Sequence, residues 1–115
     1  MNKFGAKRAE YKGVVYDSKW EANRAYELDM LERSGRIKDL QRQVRFILQE
    51  GFINNRGEKI RPISYIADFV YTIKCGAKVV EDTKSPATKT ETYRIKKKLF
   101  EYKYPDYLFV ERIKK

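Results

Sequence analysis

Asp68, Asp82 and Lys84 lie on two neighbouring apolar runs, Ile66-Ala-Asp-Phe-Val70 and Val79-Val-Glu-Asp-Thr-Lys84. Side chains of an extended strand alternate between faces, so Asp82 and Lys84 must project from one face together with Val80, and Glu81 from the other. Carboxylates beside an ammonium suit metal-assisted hydrolysis of a phosphodiester. The acids offer hard oxygen ligands to a divalent cation, and the lysine orients the nucleophile or steadies charge developing on the phosphate.

A third acid belongs with them. Glu21 falls on the clearest helix of the chain, about 19–34, where Glu21, Ala25 and Leu28 stand at i, i+4 and i+7 on the stripe expected to face the core. Acids in apolar surroundings are costly unless paired or bound to a cation. Glu21, Asp68 and Asp82 are therefore expected to converge on one or two Mg²⁺ ions, with the Thr83 carbonyl as a further ligand and Lys84 beside the scissile phosphate. Each residue also has a plainer explanation. Glu21 fits a capping box with Ser18, Asp68 has Arg42 or Arg45 as possible ion-pair partners, and Asp82 with Lys84 fits an ordinary same-face strand pair. A lone Asp-x-Lys is a weak motif; the ordered set of helix Glu, strand Asp, strand Asp-x-Lys and a following basic helix is more specific.

The rest of the composition agrees with a polyanionic partner. Lys and Arg number 26 against 16 Asp and Glu, a formal charge of +10, with nine Tyr and six Phe interleaved. Neutralising phosphates releases condensed counterions, so nucleic acid is the expected partner. The 115 residues suit one domain, 1–115, with 1–10 a flexible basic arm. There is no histidine, which excludes imidazole metal sites and Ser-His-Asp chemistry, and a single cysteine, Cys75, which excludes an internal disulfide and a cysteine zinc cluster. No apolar run reaches membrane-spanning length, and a cytoplasmic setting is expected.

The elements that must position these groups follow from pattern. Residues 11–16 suggest a small hairpin around Gly13. Ser18 and Glu21 open the helix at 19–34, and Gly35 stops it. A period of two from 37 to 49 makes a long strand, with Leu40, Val44, Phe46 and Leu48 on one face and Gln41, Gln43 and Arg45 on the other. Asn54-Asn-Arg-Gly57 turns the chain into an antiparallel strand at 64–73, apolar on both faces, and Gly76 turns it again into a strand at 78–84. Thr88 and Glu91 repeat the capping-box spacing before a helix at 90–104. Its Ile95, Leu99 and Tyr102 line one side and Arg94, Lys97, Lys98 and Glu101 the other. A last strand spans 107–113. The expected class is α/β, a mixed central sheet flanked by helices in the order α-β-β-β-α-β.

With those elements in place the chain resembles the PD-(D/E)XK nuclease superfamily and its restriction-endonuclease-like core. Phe4-Gly-Ala-Lys, Val15-Tyr-Asp-Ser-Lys-Trp-Glu-Ala, Ile66-Ala-Asp-Phe, Val80-Glu-Asp-Thr-Lys and Lys98-Leu-Phe look like a small phage and prophage family within it. The resemblance implies Glu21 as the helix carboxylate, Asp68 as the first strand acid and Asp82 with Lys84 as the acid-x-lysine pair. It also implies dependence on Mg²⁺ or Mn²⁺ and action on DNA. Ala67 stands where the superfamily motif has proline. Glu81 is the competing acid beside Asp82, and a bulge would exchange the two.

The expected activity is a structure-selective DNA endonuclease on branched DNA, similar to Holliday-junction resolvases, with a homodimer placing two cuts symmetrically. Nicking, flap or mismatch cleavage on the same core is the nearest alternative. A non-catalytic basic DNA-binding accessory protein is the alternative of a different class. DNA contacts are expected from Lys3, Lys7 and Arg8 on the arm and from Lys96, Lys97 and Lys98 on the second helix. Gln43 is either a hydrogen-bonding group near the site or part of a solvated face.

Overall fold

The computed structural model describes residues 9–16, 18–84 and 90–113. Its elements are β1 (Ala9–Tyr11), β2 (Val14–Tyr16), α1 (Lys19–Arg33), β3 (Ile37–Gln49), β4 (Phe52–Ile53), β5 (Lys59–Ile60), β6 (Ile63–Ile73), β7 (Lys78–Lys84), α2 (Glu91–Lys103) and β8 (Tyr107–Ile113). The fold is mixed α/β. A four-stranded sheet runs in the order β3-β6-β7-β8, antiparallel except for the parallel β7–β8 pair, and two short hairpins, β1–β2 and β4–β5, stand outside it. Among the described residues no helix is long and apolar enough to cross a membrane.

Local chemistry sets both ends of α1. The Ser18 hydroxyl accepts a hydrogen bond from the Glu21 amide at 3.1 Å, supplying one of the free donors of the first turn. At the other end Gly35 has φ +81°, the Gly35 amide donates to the Glu32 carbonyl and the Arg36 amide to the Leu31 carbonyl, both at 3.0 Å. That pair of bonds is a Schellman closure, and glycine meets its left-handed requirement without strain. Ala22, Ala25 and Leu28 are the buried residues of α1, and the two small alanines let the helix approach the sheet closely.

The sheet separates two apolar clusters. Under α1 and the β1–β2 hairpin lie Tyr16, Ala22, Ala25, Leu28, Ile37, Phe69, Tyr71 and Val79. Under α2 lie Phe46, Leu48, Tyr65, Ala67, Val80, Tyr93 and Phe100, mostly aromatic, with Phe46 and Phe100 in an edge contact at 4.9 Å.

Two expectations are corrected by this packing. Leu40 does not share a face with Val44, Phe46 and Leu48: it packs on the first cluster and they belong to the second. The cause is backbone irregularity in β3. Asp39 has φ 57° at a shift of register between Lys38 and Gln41, and Gln43 has φ 53°. The Leu40 amide at that bulge is satisfied by the Glu32 carboxylate at 2.9 Å.

The second correction concerns α2. Its buried residues are Tyr93 and Phe100, while Ile95, Leu99 and Tyr102 are 52%, 37% and 88% exposed. The helix has turned its aromatic side to an aromatic sheet surface, since rings fill that space better than aliphatic chains, and the expected stripe is left outside. Its cap is Thr90, whose hydroxyl accepts from the Tyr93 amide at 3.1 Å; Thr88 lies outside the described residues.

Candidate active site

The antiparallel ladder between β6 and β7 runs from Thr72↔Lys78 to Phe69↔Glu81 and stops there. The next residue of β6 is Asp68, and its side chain takes over the role of the ladder. Asp68 Oδ2 accepts from the Thr83 amide at 2.8 Å and from the Thr83 hydroxyl at 2.7 Å. The ion pair with Arg42 offered by the sequence is not formed; the Arg42 guanidinium lies 5.0 Å from the centre of the Tyr16 ring, on the first cluster. Gln43 stands across from Asp68 in β3, between the pairs Arg42↔Phe69 and Val44↔Ala67, and is exposed.

Strand alternation sends the two acids of β7 opposite ways, as the sequence phase requires. Glu81 is fully buried on the α1 side. Arg24 Nε and Nη2 donate to its two oxygens at 2.6 and 2.8 Å, the Tyr71 hydroxyl donates at 2.7 Å, and Arg112 Nε lies 3.6 Å away. Burial pushes this carboxyl up, but the hydrogen bonds from Arg24 and Tyr71 outweigh it and hold the group below its ordinary value. Tyr71 is pushed up to about 12 by burial and then by Glu81.

Asp82 is 1% exposed on the α2 side. Burial drives the Tyr65 hydroxyl far above its ordinary value, with the Asp82 carboxylate the next cause and Asp68 a further one. Tyr93 is raised by burial, by its hydrogen bond to Glu111 at 2.6 Å, and by the charges of Asp82 and Asp68. Asp68 and Asp82 thus share one electrostatic neighbourhood, walled by two tyrosine hydroxyls.

Glu111 was not legible as part of this neighbourhood. It comes there through the parallel register Asp82↔Glu111. Nothing within the segment Tyr107–Ile113 distinguishes it from a solvated strand acid, and Tyr65 and Tyr93 read only as core aromatics.

The other expected residues fall as follows. Glu21 is half-buried in the first turn of α1, where its amide serves the Ser18 cap. Among the described residues no three carboxylates gather into a metal-binding group; Asp68 is tied by two hydrogen bonds to Thr83, the residue next to Asp82. Lys84 is placed at the end of β7, beside Ile113 of β8. Lys96 and Lys97 are half-buried on α2; Lys97 Nζ lies 5.4 Å from the Phe109 ring centre and 3.6 Å from Glu101. Lys98 is exposed. Lys3, Lys7 and Arg8 lie outside the described residues.

Oxygen donors without imidazole or thiolate are the ligand chemistry of a hard divalent cation, which binds through one or two carboxylates and retains water. The carboxylates of Asp68 and Asp82 are donors of that class.

Fold and site together define a small basic α/β protein with a half-buried acid, Asp68, and a buried acid, Asp82, on the two central strands at the point where they part. The chain belongs to the DUF1064 family of proteins of unknown function, whose model matches residues 1–115. No curated protein and no solved structure matches it.

Proposed function

We propose that this protein is a Mg²⁺- or Mn²⁺-dependent DNA endonuclease of the PD-(D/E)XK type, acting by in-line attack of water on a phosphodiester. The observation that carries the reading is the end of the β6–β7 ladder, where Asp68 accepts from the amide and hydroxyl of Thr83, the residue next to the buried Asp82, in a chain of charge +10. In this reading Asp68 and Asp82 hold the cation with the Thr83 carbonyl as a further ligand, while Glu21, in the first turn of α1, is not gathered with them. A bound divalent cation supplies Lewis-acid polarisation of the phosphoryl group and acidifies water for attack. Thr83, through its two hydrogen bonds to Asp68, fixes the carboxylate that it flanks. Lys84 supplies positive charge to the developing negative charge of the phosphate.

The proposed substrate is branched DNA, in the manner of a Holliday-junction resolvase, cut by a homodimer with two symmetric sites. A chain this small has little surface for reading an extended sequence, so shape and phosphate contacts must select its substrate. The basic charge alone also supports a second reading, a DNA-binding accessory protein that does not cut.

The test is a cleavage panel of four-way junctions, flaps, mismatched and linear duplexes with Mg²⁺ and with Mn²⁺, using wild type, Asp82→Ala and Lys84→Ala. The expected result is junction cleavage by wild type alone, with DNA binding retained by all three. Cutting by both variants, or none by wild type, would remove the nuclease reading, and tight salt-sensitive binding without cutting would favour the second.

A further inference from the structure

A groove runs between the start of β6 and the outer side of α2. It consists of two adjoining cavities of about 350 and 430 Å³ that share Ser64, Thr92 and Lys96. The first also reaches Tyr65 and Tyr93, and the Tyr93 hydroxyl donates to Glu111, which stands opposite Asp82 in the β7–β8 register, so this polar end abuts the candidate site. The second is walled by Ile63, Ile95 and Leu99, which are 38%, 52% and 37% exposed. Turning Tyr93 and Phe100 inward is what leaves this aliphatic wall in solvent.

We infer that the groove binds an unpaired stretch of a DNA strand and leads it toward Asp68 and Asp82. A backbone phosphate sits at Lys96 with the Ser64 and Thr92 hydroxyls as donors, and an adjoining base or sugar lies against Ile63, Ile95 and Leu99. The inference rests on the nuclease reading and names its substrate class. A phosphodiester asks for one cation and a few hydrogen-bond donors, which the polar end supplies. An unstacked base carries an apolar face that gains from packing on a wall, and strand binding of this kind tolerates any sequence. A duplex keeps its bases stacked and gains nothing from aliphatic side chains. A second copy of the chain is the other occupant an apolar wall suits, but Lys96 and the hydroxyls of Ser64 and Thr92 line the same groove, and they and the charge of +10 match a polyanion.

The experiment measures fluorescence anisotropy of labelled oligodeoxythymidine and of a blunt duplex of equal length, at fixed salt with EDTA present so that no hydrolysis takes place. Leu99→Asp and Lys96→Ala change groove residues, and Lys98→Ala is an exposed control on the same helix. Circular dichroism and sedimentation confirm the fold and report the oligomeric state of each.

Leu99→Asp and Lys96→Ala are expected to weaken oligodeoxythymidine binding by roughly tenfold while duplex binding changes by less than about twofold. Lys98→Ala should weaken both equally. Unchanged oligodeoxythymidine affinity in both groove variants, or equal losses on the two ligands, overturns the inference. So does conversion of a dimer to a monomer by Leu99→Asp without a change in single-strand affinity, which would make the groove a contact between copies. The nuclease reading can fail separately: a protein that never cuts yet shows the strand preference keeps the groove, and a Mg²⁺-dependent nuclease whose Leu99→Asp form binds oligodeoxythymidine normally loses only the groove.

Discussion

Arg24 on α1 holds the fully buried Glu81 of β7 through two hydrogen bonds of 2.6 and 2.8 Å, across 57 residues of sequence. The pair fixes the helix that carries Glu21 to the strand that carries Asp82, since Arg24 follows Glu21 by three residues and Glu81 precedes Asp82. Removing one partner strands the other charge in the interior. Arg24→Met is expected to destabilise the protein by roughly 3–5 kcal/mol, and the double change Arg24→Met with Glu81→Leu by much less, since the apolar pair leaves no buried charge. Urea unfolding of the two single variants and the double variant measures the coupling. Equal losses in single and double variants would show that the pair does not act as a unit.

The same carboxyl gives a pH dependence with a defined sign. Its folded value lies below the ordinary 4.5, so the unfolded chain binds the proton first. The stability that Glu81 contributes is complete above 4.5 and is lost as pH falls below it toward the folded value. Glu81→Gln should lack this component. Unfolding free energies of the two proteins, followed from neutral pH downward, should therefore draw together below that point, and parallel curves would contradict the assignment.

Metal binding has a readout apart from cleavage. Mg²⁺ or Mn²⁺ should raise the melting temperature of wild type, by binding linkage worth about 2.7 kcal/mol at roughly a hundred times the dissociation constant. Asp82→Asn should lose that shift. A wild-type melting temperature indifferent to both ions would count against the cation site.

Thr83 makes two separable bonds to Asp68, one from its amide and one from its hydroxyl. Thr83→Val keeps the amide and the side-chain volume but removes the hydroxyl donor, with an expected loss of about 1 kcal/mol. Thr83→Ser should restore it. If valine and serine are equal in chemical unfolding, the hydroxyl bond contributes nothing.

Gly35 has open space where a Cβ would project, so a substitution there meets no neighbour and acts through φ +81° alone. Gly35→Ala is expected to destabilise by about 1 kcal/mol, and Gly35→Asn by less, because asparagine tolerates the left-handed region. Thermal melts of the two variants test the order.

Those residues also mark how far the sequence reaches. Ser18, Gly35 and the strand limits at 37–49, 78–84 and 107–113 were readable because caps, left-handed turns and a period of two are decided by residues a few positions apart. The opposite facing of Glu81 and Asp82 followed from that period. The bulge at Asp39 and the left-handed Gln43 were not readable: neither residue demands such a backbone, and each adopts it to keep a long strand packed on both sides. That is why Leu40 moved to the other face.

By itself, then, the sequence determined the elements, the strong positive charge and the side of β7 from which each acid projects, all consequences of local geometry and composition. Tertiary structure decided which acids became neighbours. Asp68 met Thr83 because the ladder ends at Phe69↔Glu81, Glu111 came beside Asp82 through a parallel register, and Arg24 of α1 found Glu81 on the sheet face it covers. It also decided the rotation of α2, because a helix with both aromatic and aliphatic residues buries whichever set the opposing surface fits, and that surface exists only once the sheet has formed.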